Sequence, residues 1–191
     1  SNTPEVTTAC LADTTMGLII AACRRFREGV DIAKTGEGRG MLTPESWGQR
    51  VTGRTLGIVG MGNVGREVAK RAQGFDLNII YHTPRPSAEF DRTYNAKSVT
   101  LETLLKQSDI ISLHCPHTEK THHLIDAEAI EMMKPSAVII NISRGPVIDE
   151  LALIDALKAG RIFGAGLDVF ETEPAPIREA LYSLSNVFCL P

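Results

Sequence analysis

Thr55-Leu56-Gly57-Ile58-Val59 is a short, largely apolar run that opens directly onto Gly60-Met61-Gly62-Asn63-Val64-Gly65. Beyond the glycines, Val64, Val68, Ala69 and Ala72 recur at helical spacing. A buried strand, a glycine turn and the start of a helix are therefore predicted in immediate succession. In that junction Gly60 permits the tight turn, Gly62 lets the backbone come close to an anion, and Gly65 lets the helix pack on the strand. The free N–H groups and dipole at the helix start would meet a diphosphate. A lone glycine pattern is weak, because glycine turns occur in many loops. The strand before it and the helix after it supply the context that points to dinucleotide binding, against the plainer alternative of a structural turn.

Strand and helix patterns alternate along the rest of the chain, which predicts a doubly wound α/β fold of Rossmann type, with helices on both faces of a parallel sheet. Strands are expected at 55–59, 78–82, 110–114, 137–142, 164–169 and 187–189, with helices at 64–73, 101–106, 127–132 and 150–159. Gly160 suits the stop of the last helix. Residues 5–28 read as one long helix, introduced by Asn2-Thr3-Pro4 and closing with Arg24, Arg25 and Arg27. Gly36 to Gly40 reads as a glycine-charged connector, and Trp47 sits in a polar segment before the first strand. A long helix with no sheet of its own before it suggests that residues 1–191 form one nucleotide domain cut from a longer protein.

Composition narrows the partners. With 43% hydrophobic and 23% charged residues the chain can bury an ordinary core, and disorder is not indicated. A net charge of −3 without a basic block argues against nucleic acid or an anionic membrane as the main partner. Leu18 to Cys23 is too short to span a bilayer, and the N-terminal residues lack the basic start of a signal peptide. Cys10, Cys23, Cys115 and Cys189 show no paired spacing and read as reduced core thiols in a cytoplasmic protein.

The end of the second strand bears on which dinucleotide fits. About 20 residues past the glycine turn, an acid is expected where NAD is held by its ribose hydroxyls. Tyr81-His82-Thr83-Pro84-Arg85 has none. Thr83 and Arg85 could bind a 2′-phosphate and His82 could stack or donate, so the reading leans to NADP over NAD. His114-Cys115-Pro116-His117 with His122-His123 resembles a metal cluster at first glance. The strand end at His114 and the turn at Pro116 are expected to make the imidazoles diverge, so the reading assigns no metal there. The segment with Cys115, Pro116 and Thr121 is assigned to the far side of the cofactor instead. Asn141-Ile142-Ser143-Arg144-Gly145 follows an apolar strand, where ligands of open α/β sheets sit. Arg144 could grip a carboxylate or carbonyl there, although an arginine after a strand is often only a surface ion-pair residue. Asp168 lies among apolar residues near another strand end, where a carboxylate is costly without a partner.

Taken together, these segments resemble the D-isomer-specific 2-hydroxyacid dehydrogenase family, and the likeness covers nearly the whole chain. Its segments occur in family order: Asn2 to Asp13, Gly60 to Gly65, Leu113 to Ile125, Asn141 to Gly145, and Asp168-Val169-Phe170-Glu171-Thr172-Glu173-Pro174. The resemblance implies that Arg144 binds a 2-oxo acid and that Glu173 pairs with a catalytic histidine. It also implies that Asp168 positions the nicotinamide carboxamide, that Asn63 and Val64 offer amides to the pyrophosphate, and that Ile142 and Ser143 line the nicotinamide side. Family members carry the catalytic histidine in a Pro-His step after the last short strand, and none of the five histidines here fits that position. The substrate domain would come from segments before Ser1 and after Pro191.

The implied activity is hydride transfer between NAD(P)H and a 2-oxo or 2-hydroxy acid of the glyoxylate, hydroxypyruvate or phosphoglycerate kind. A homodimer is implied as well, with the first helix crossing to the partner. The rival readings are a nucleotide-sensing corepressor module and a formate or phosphite dehydrogenase.

Overall fold

The computed structural model describes residues 4–36, 47–172 and 176–190. Among them, seven strands form one sheet: β1 Thr55–Val59, β2 Asn78–His82, β3 Ala96–Ser98, β4 Ile110–Leu113, β5 Val138–Asn141, β6 Gly164–Leu167 and β7 Val187–Cys189. The spatial order is β3-β2-β1-β4-β5-β6-β7, and every neighbouring pair is parallel. Winding runs outward from β1 through β2 to β3, then restarts on the other side of β1 with β4. The reversal between β1 and β4 leaves a crevice at their carboxyl ends, which is where open α/β sheets bind ligands.

The helices are α1 Pro4–Cys23, α2 Phe26–Thr35, α3 Asn63–Ala72, α4 Ala88–Tyr94, α5 Leu101–Gln107, α6 Ala127–Glu131, α7 Glu150–Lys158 and α8 Pro176–Ser183. Side chains alternate across the sheet, as the two-residue strand period requires. Leu56, Ile58, Ile79, Tyr81, Ile110, Val138 and Ile140 share one core with Ile19 of α1 and Val68 of α3. Ile80, Ile111, Leu113, Ile139, Ala165 and Leu167 share the other with Leu104 and Leu105 of α5, Ile130 of α6 and Leu153 of α7. Each fully buried Leu or Ile contributes roughly 1.5–3 kcal/mol, so both layers are held chiefly by this burial.

Three sequence expectations are corrected. The long helix is two helices: α1 stops at Cys23, Arg25 takes a left-handed φ of 55°, and α2 starts at Phe26. The Cys23 carbonyl accepts from the backbone N–H of Gln49 at 2.7 Å, so the chain returning toward β1 caps the helix end. Cys23 and Cys115 are buried, but Cys10 is exposed and Cys189 half-buried, so they are not all core thiols. Burial pushes the Cys23 thiol up to about 12 and the Cys115 thiol up to about 11, which keeps both protonated and unreactive. Finally, β4, β5 and β6 stop at Leu113, Asn141 and Leu167, one or two residues short of expectation. The residues that follow β4 and β5 turn off the sheet and line the crevice.

The short elements α4, β3 and α8 lie outside the expected set. The connector at Gly36 to Gly40 lies outside the described residues except for Gly36. Within the described residues, no helix is long and apolar enough to cross a membrane.

Candidate functional site

The glycine turn sits where β1, β2 and β4 end together. Gly60 donates its N–H to the His82 carbonyl at 2.8 Å, and His114 donates its own to the Val59 carbonyl at 2.8 Å. Gly60 has φ 98°, and a Cβ there would stand 2.7 Å from the Cys115 nitrogen. Both the backbone conformation and the space demand glycine. A Cβ at Gly65 would come within 2.3 Å of the Gly60 carbonyl oxygen, so α3 rests directly on the turn that precedes it.

Gly62 differs: a Cβ there would meet nothing within 4 Å. It caps α3 without a side-chain bond, whereas Ser87, Thr100, Asp126 and Asp149 cap α4, α5, α6 and α7 with their side chains. The N–H groups of Asn63, Val64 and Gly65 lack intrahelical acceptors, as in the first turn of any helix. An open, uncapped, positively polarised helix end fits a diphosphate.

Beside it lies a cleft of about 520 Å³ lined by Leu11, Val64, His114, Cys115, Pro116, His117, Ile142, Ser143 and Arg144. Six of these were predicted: Val64, Cys115, Pro116, Ile142, Ser143 and Arg144. Leu11 lies outside the expected set, while His114 and His117 belong to the segment assigned to the far side of the cofactor without being singled out as site residues. Thr121 braces the loop behind Pro116, donating to the Pro116 carbonyl at 2.6 Å and accepting from the Thr118 N–H at 2.8 Å.

Arg144 is exposed at the mouth, with Nη1 donating to the Ser143 carbonyl at 2.6 Å. Its backbone is held by Asn141, a residue almost wholly buried and not among the predicted site residues. Asn141 Nδ2 donates to the Arg144 carbonyl at 3.0 Å, while Oδ1 accepts from the Ser143 N–H at 3.0 Å and the Ser143 hydroxyl at 2.9 Å. Gly145 then packs against the next loop so tightly that a Cβ would lie 1.8 Å from the Phe170 carbonyl oxygen. Asp168, half-buried, donates its N–H to the Asn141 carbonyl at 3.0 Å, which places it beside the same strand end. Glu173 lies outside the described residues.

At the end of β2, His82 Nδ1 lies 3.1 Å from the Val99 carbonyl, which orients the ring. Thr83 is half-buried and Arg85 exposed.

The expectation that the imidazoles diverge holds for His114 and fails for the others. His114 turns inward, its Nε2 2.8 Å from the Ser112 hydroxyl, and burial pulls its pKa down to about 3. The Thr118–Thr121 turn, by contrast, folds the chain back, so His117 Nε2 lies 3.3 Å from His122 Nδ1. His122 also stacks on His123 with ring centroids 4.0 Å apart. Among the described residues, no three His, Cys, Asp or Glu side chains are grouped to hold a metal ion.

A parallel sheet wound in both directions, with a glycine turn and open helix end at its switch point, defines a Rossmann-type dinucleotide-binding domain. Residues 16–191 match the family model described as D-isomer specific 2-hydroxyacid dehydrogenase, NAD binding domain, and the chain belongs to that family. It is 46% identical over its full 191 residues to glyoxylate/hydroxypyruvate reductase B of Escherichia fergusonii, and spans 59% of that protein's length. A crystal structure of a glyoxylate reductase from Paecilomyes thermophila superposes with a TM-score of 0.90 at 38% identity, covering 100% of this chain and 57% of the other. An acyclic imino acid reductase in complex with NADPH and D-arginine superposes with a TM-score of 0.86 at 31% identity, covering 100% of this chain and 59% of that one.

Proposed function

We propose that this chain is the nucleotide domain of an NAD(P)H-dependent reductase for small 2-oxo acids such as glyoxylate or hydroxypyruvate. The observation that carries the reading is the placement of Arg144 and the open N-terminus of α3 around one cleft. When bound, the nicotinamide cofactor supplies the hydride that reduces C2 of the oxo acid. Gly60 and Gly62 keep the approach clear, and the amides of Asn63, Val64 and Gly65 hold the diphosphate. Cys115 and Pro116 would line the far side of the cofactor, Ile142 and Ser143 the nicotinamide side, and the Asp168 carboxylate would receive the carboxamide. Thr121 holds the far loop in place.

Arg144 binds the substrate carboxylate and polarises its carbonyl, a fixed charge that needs no reorganisation during reaction. The balancing proton reaches the carbonyl oxygen from a histidine outside these 191 residues, oriented by Glu173. Flanking segments build the substrate domain, and α1 contributes to a cytoplasmic homodimer. Neither nucleic acid nor a membrane surface is a partner in this reading.

Cofactor choice follows from β2. The stretch Tyr81–Arg85 carries no acid to repel a 2′-phosphate, and His82, Thr83 and Arg85 offer donors, which supports NADPH over NADH. The reading is tested on the full-length protein with a panel of 2-oxo acids and both reduced cofactors. Turnover of glyoxylate or hydroxypyruvate with a preference for NADPH is expected, and Arg144→Lys should lower kcat/KM about 100- to 1000-fold by losing the planar fork. Absence of turnover across the panel would sink the reductase reading. Equal or better use of NADH would overturn the cofactor assignment alone.

A further inference from the structure

We infer that His123 and Glu171 form a clasp that positions the Arg144 loop, a role that rests on the reductase reading above. The first observation is a cost. His123 has φ 48°, in the left-handed region that glycine enters freely and that strains other residues. A residue held there is over-determined by its surroundings, and here the side chain supplies the determination. His123 Nε2 donates to Glu171 Oε1 at 2.6 Å, a bond between chain positions 48 residues apart. A glycine would spare the backbone and forfeit that bond.

The second observation is a closed circuit. The His123 N–H donates to the Pro146 carbonyl at 2.8 Å, which ties the loop after β4 to the Arg144 loop. Ile125 and Asp149 extend the tie, Ile125 N–H to the Val147 carbonyl at 3.1 Å and Asp149 N–H to the Ile125 carbonyl at 3.0 Å. From Glu171 the circuit returns through Glu150: the Glu171 N–H donates to Glu150 Oε1 at 2.5 Å, and the Glu150 N–H to Glu171 Oε2 at 3.3 Å. Gly145, pressed on the Phe170 carbonyl and the Glu171 nitrogen, closes it one residue from Arg144. Loops after three strands are thus joined at one carboxylate. His123 and Glu171 do not line the cleft, so they act through Arg144 and are positioning residues.

The consequence is a division of effects. Loosening the clasp lets the guanidinium wander while the glycine turn, across the cleft, stays as it is. The test compares the full-length protein with its His123→Gly and Glu171→Gln variants. In His123→Gly, kcat is expected to fall about 10- to 100-fold, the loss that a displacement near 1 Å produces. The nucleotide Kd should stay within about twofold, since a uniform loss of folding would weaken it as well. Glu171→Gln keeps an oxygen that can accept from Glu150, and it should move the same way by less.

Hydrogen exchange supplies a readout that does not depend on turnover. The amides of Val147 and Ile148, bonded to the Arg144 and Gly145 carbonyls, should exchange faster in His123→Gly. Unchanged exchange at those amides overturns the clasp whatever the activity. Faster exchange with wild-type kcat overturns its role in aiming Arg144. If the unmodified enzyme turns over no 2-oxo acid, the reductase reading fails, and exchange still decides whether the clasp exists.

Discussion

The glycine turn after β1 and the Arg144 loop after β5 both sit at the carboxyl edge of one sheet, but opposite means hold them. At the turn, side chains are missing: Gly60 and Gly65 exist so that backbone can touch backbone, and Gly62 leaves the helix end bare. Around Arg144, side chains do most of the holding: Asn141 bonds to the main chain of the Arg144 loop itself, and His123, Glu171 and Glu150 bond across to the main chain or side chain of another loop. The difference matches the two tasks of the reductase reading. A diphosphate is met by amides that need proximity and nothing else, whereas a guanidinium on a flexible stem has to be aimed.

Substitutions at one glycine in each region break this comparison most sharply. Gly145→Ala places a Cβ inside the Phe170 carbonyl and should cost at least about 3 kcal/mol, because backbone on both sides has to move. Denaturant unfolding would show the loss, and any folded fraction should keep nucleotide affinity while losing turnover. Gly60→Ala combines a left-handed φ with a 2.7 Å approach to the Cys115 nitrogen. It should cost about 2–3 kcal/mol and weaken nucleotide binding, read by calorimetry. If both variants lost the same function, the two regions would not be separable in the way described here.

These two glycines also show what sequence could reveal. Gly60, Gly62 and Gly65 were legible because a backbone requirement leaves a fixed local spacing, and β1 and α3 were legible from their apolar periods. The Arg144 loop could be placed from its strand, but not its fastening, since His123 and Glu171 are 48 positions apart and no local pattern records their meeting. Leu11 lines the cleft from a helix some fifty residues upstream of the turn, for the same reason. The break at Arg25 carried no glycine or proline to announce it, and depends on a carbonyl captured by Gln49. β3 is three residues long with Lys97 exposed, too short to display a period.

Asn141 tests the side-chain-held region from within. Asn141→Ala would strip partners from the Ser143 N–H, the Ser143 hydroxyl and the Arg144 carbonyl at once. Leaving buried groups unpaired costs about 1–3 kcal/mol, so a loss near 2 kcal/mol is expected in chemical denaturation. Asn141→Asp keeps the acceptor and lacks the donor. It should retain the Ser143 contacts and lose the hold on Arg144, so turnover should suffer more than nucleotide binding.

The smallest effect concerns His114, which lies between the two regions: its carbonyl carbon would be 2.8 Å from a Cβ at Gly60, and the residue is among those lining the cleft. Burial pulls its pKa from 6.5 to about 3, so the folded protein keeps the ring neutral where the unfolded chain protonates it. Between those two values the unfolded state binds the extra proton, and stability is lost as pH falls from 6.5 toward 3. From pH 6.5 to 5.5 the expected loss from this one group is about 1 kcal/mol. Urea midpoints measured across that interval should slope less in His114→Gln than in the unmodified protein. Parallel slopes would mean that the ring gains a proton in place, and that its buried surroundings are polar enough to hold a cation.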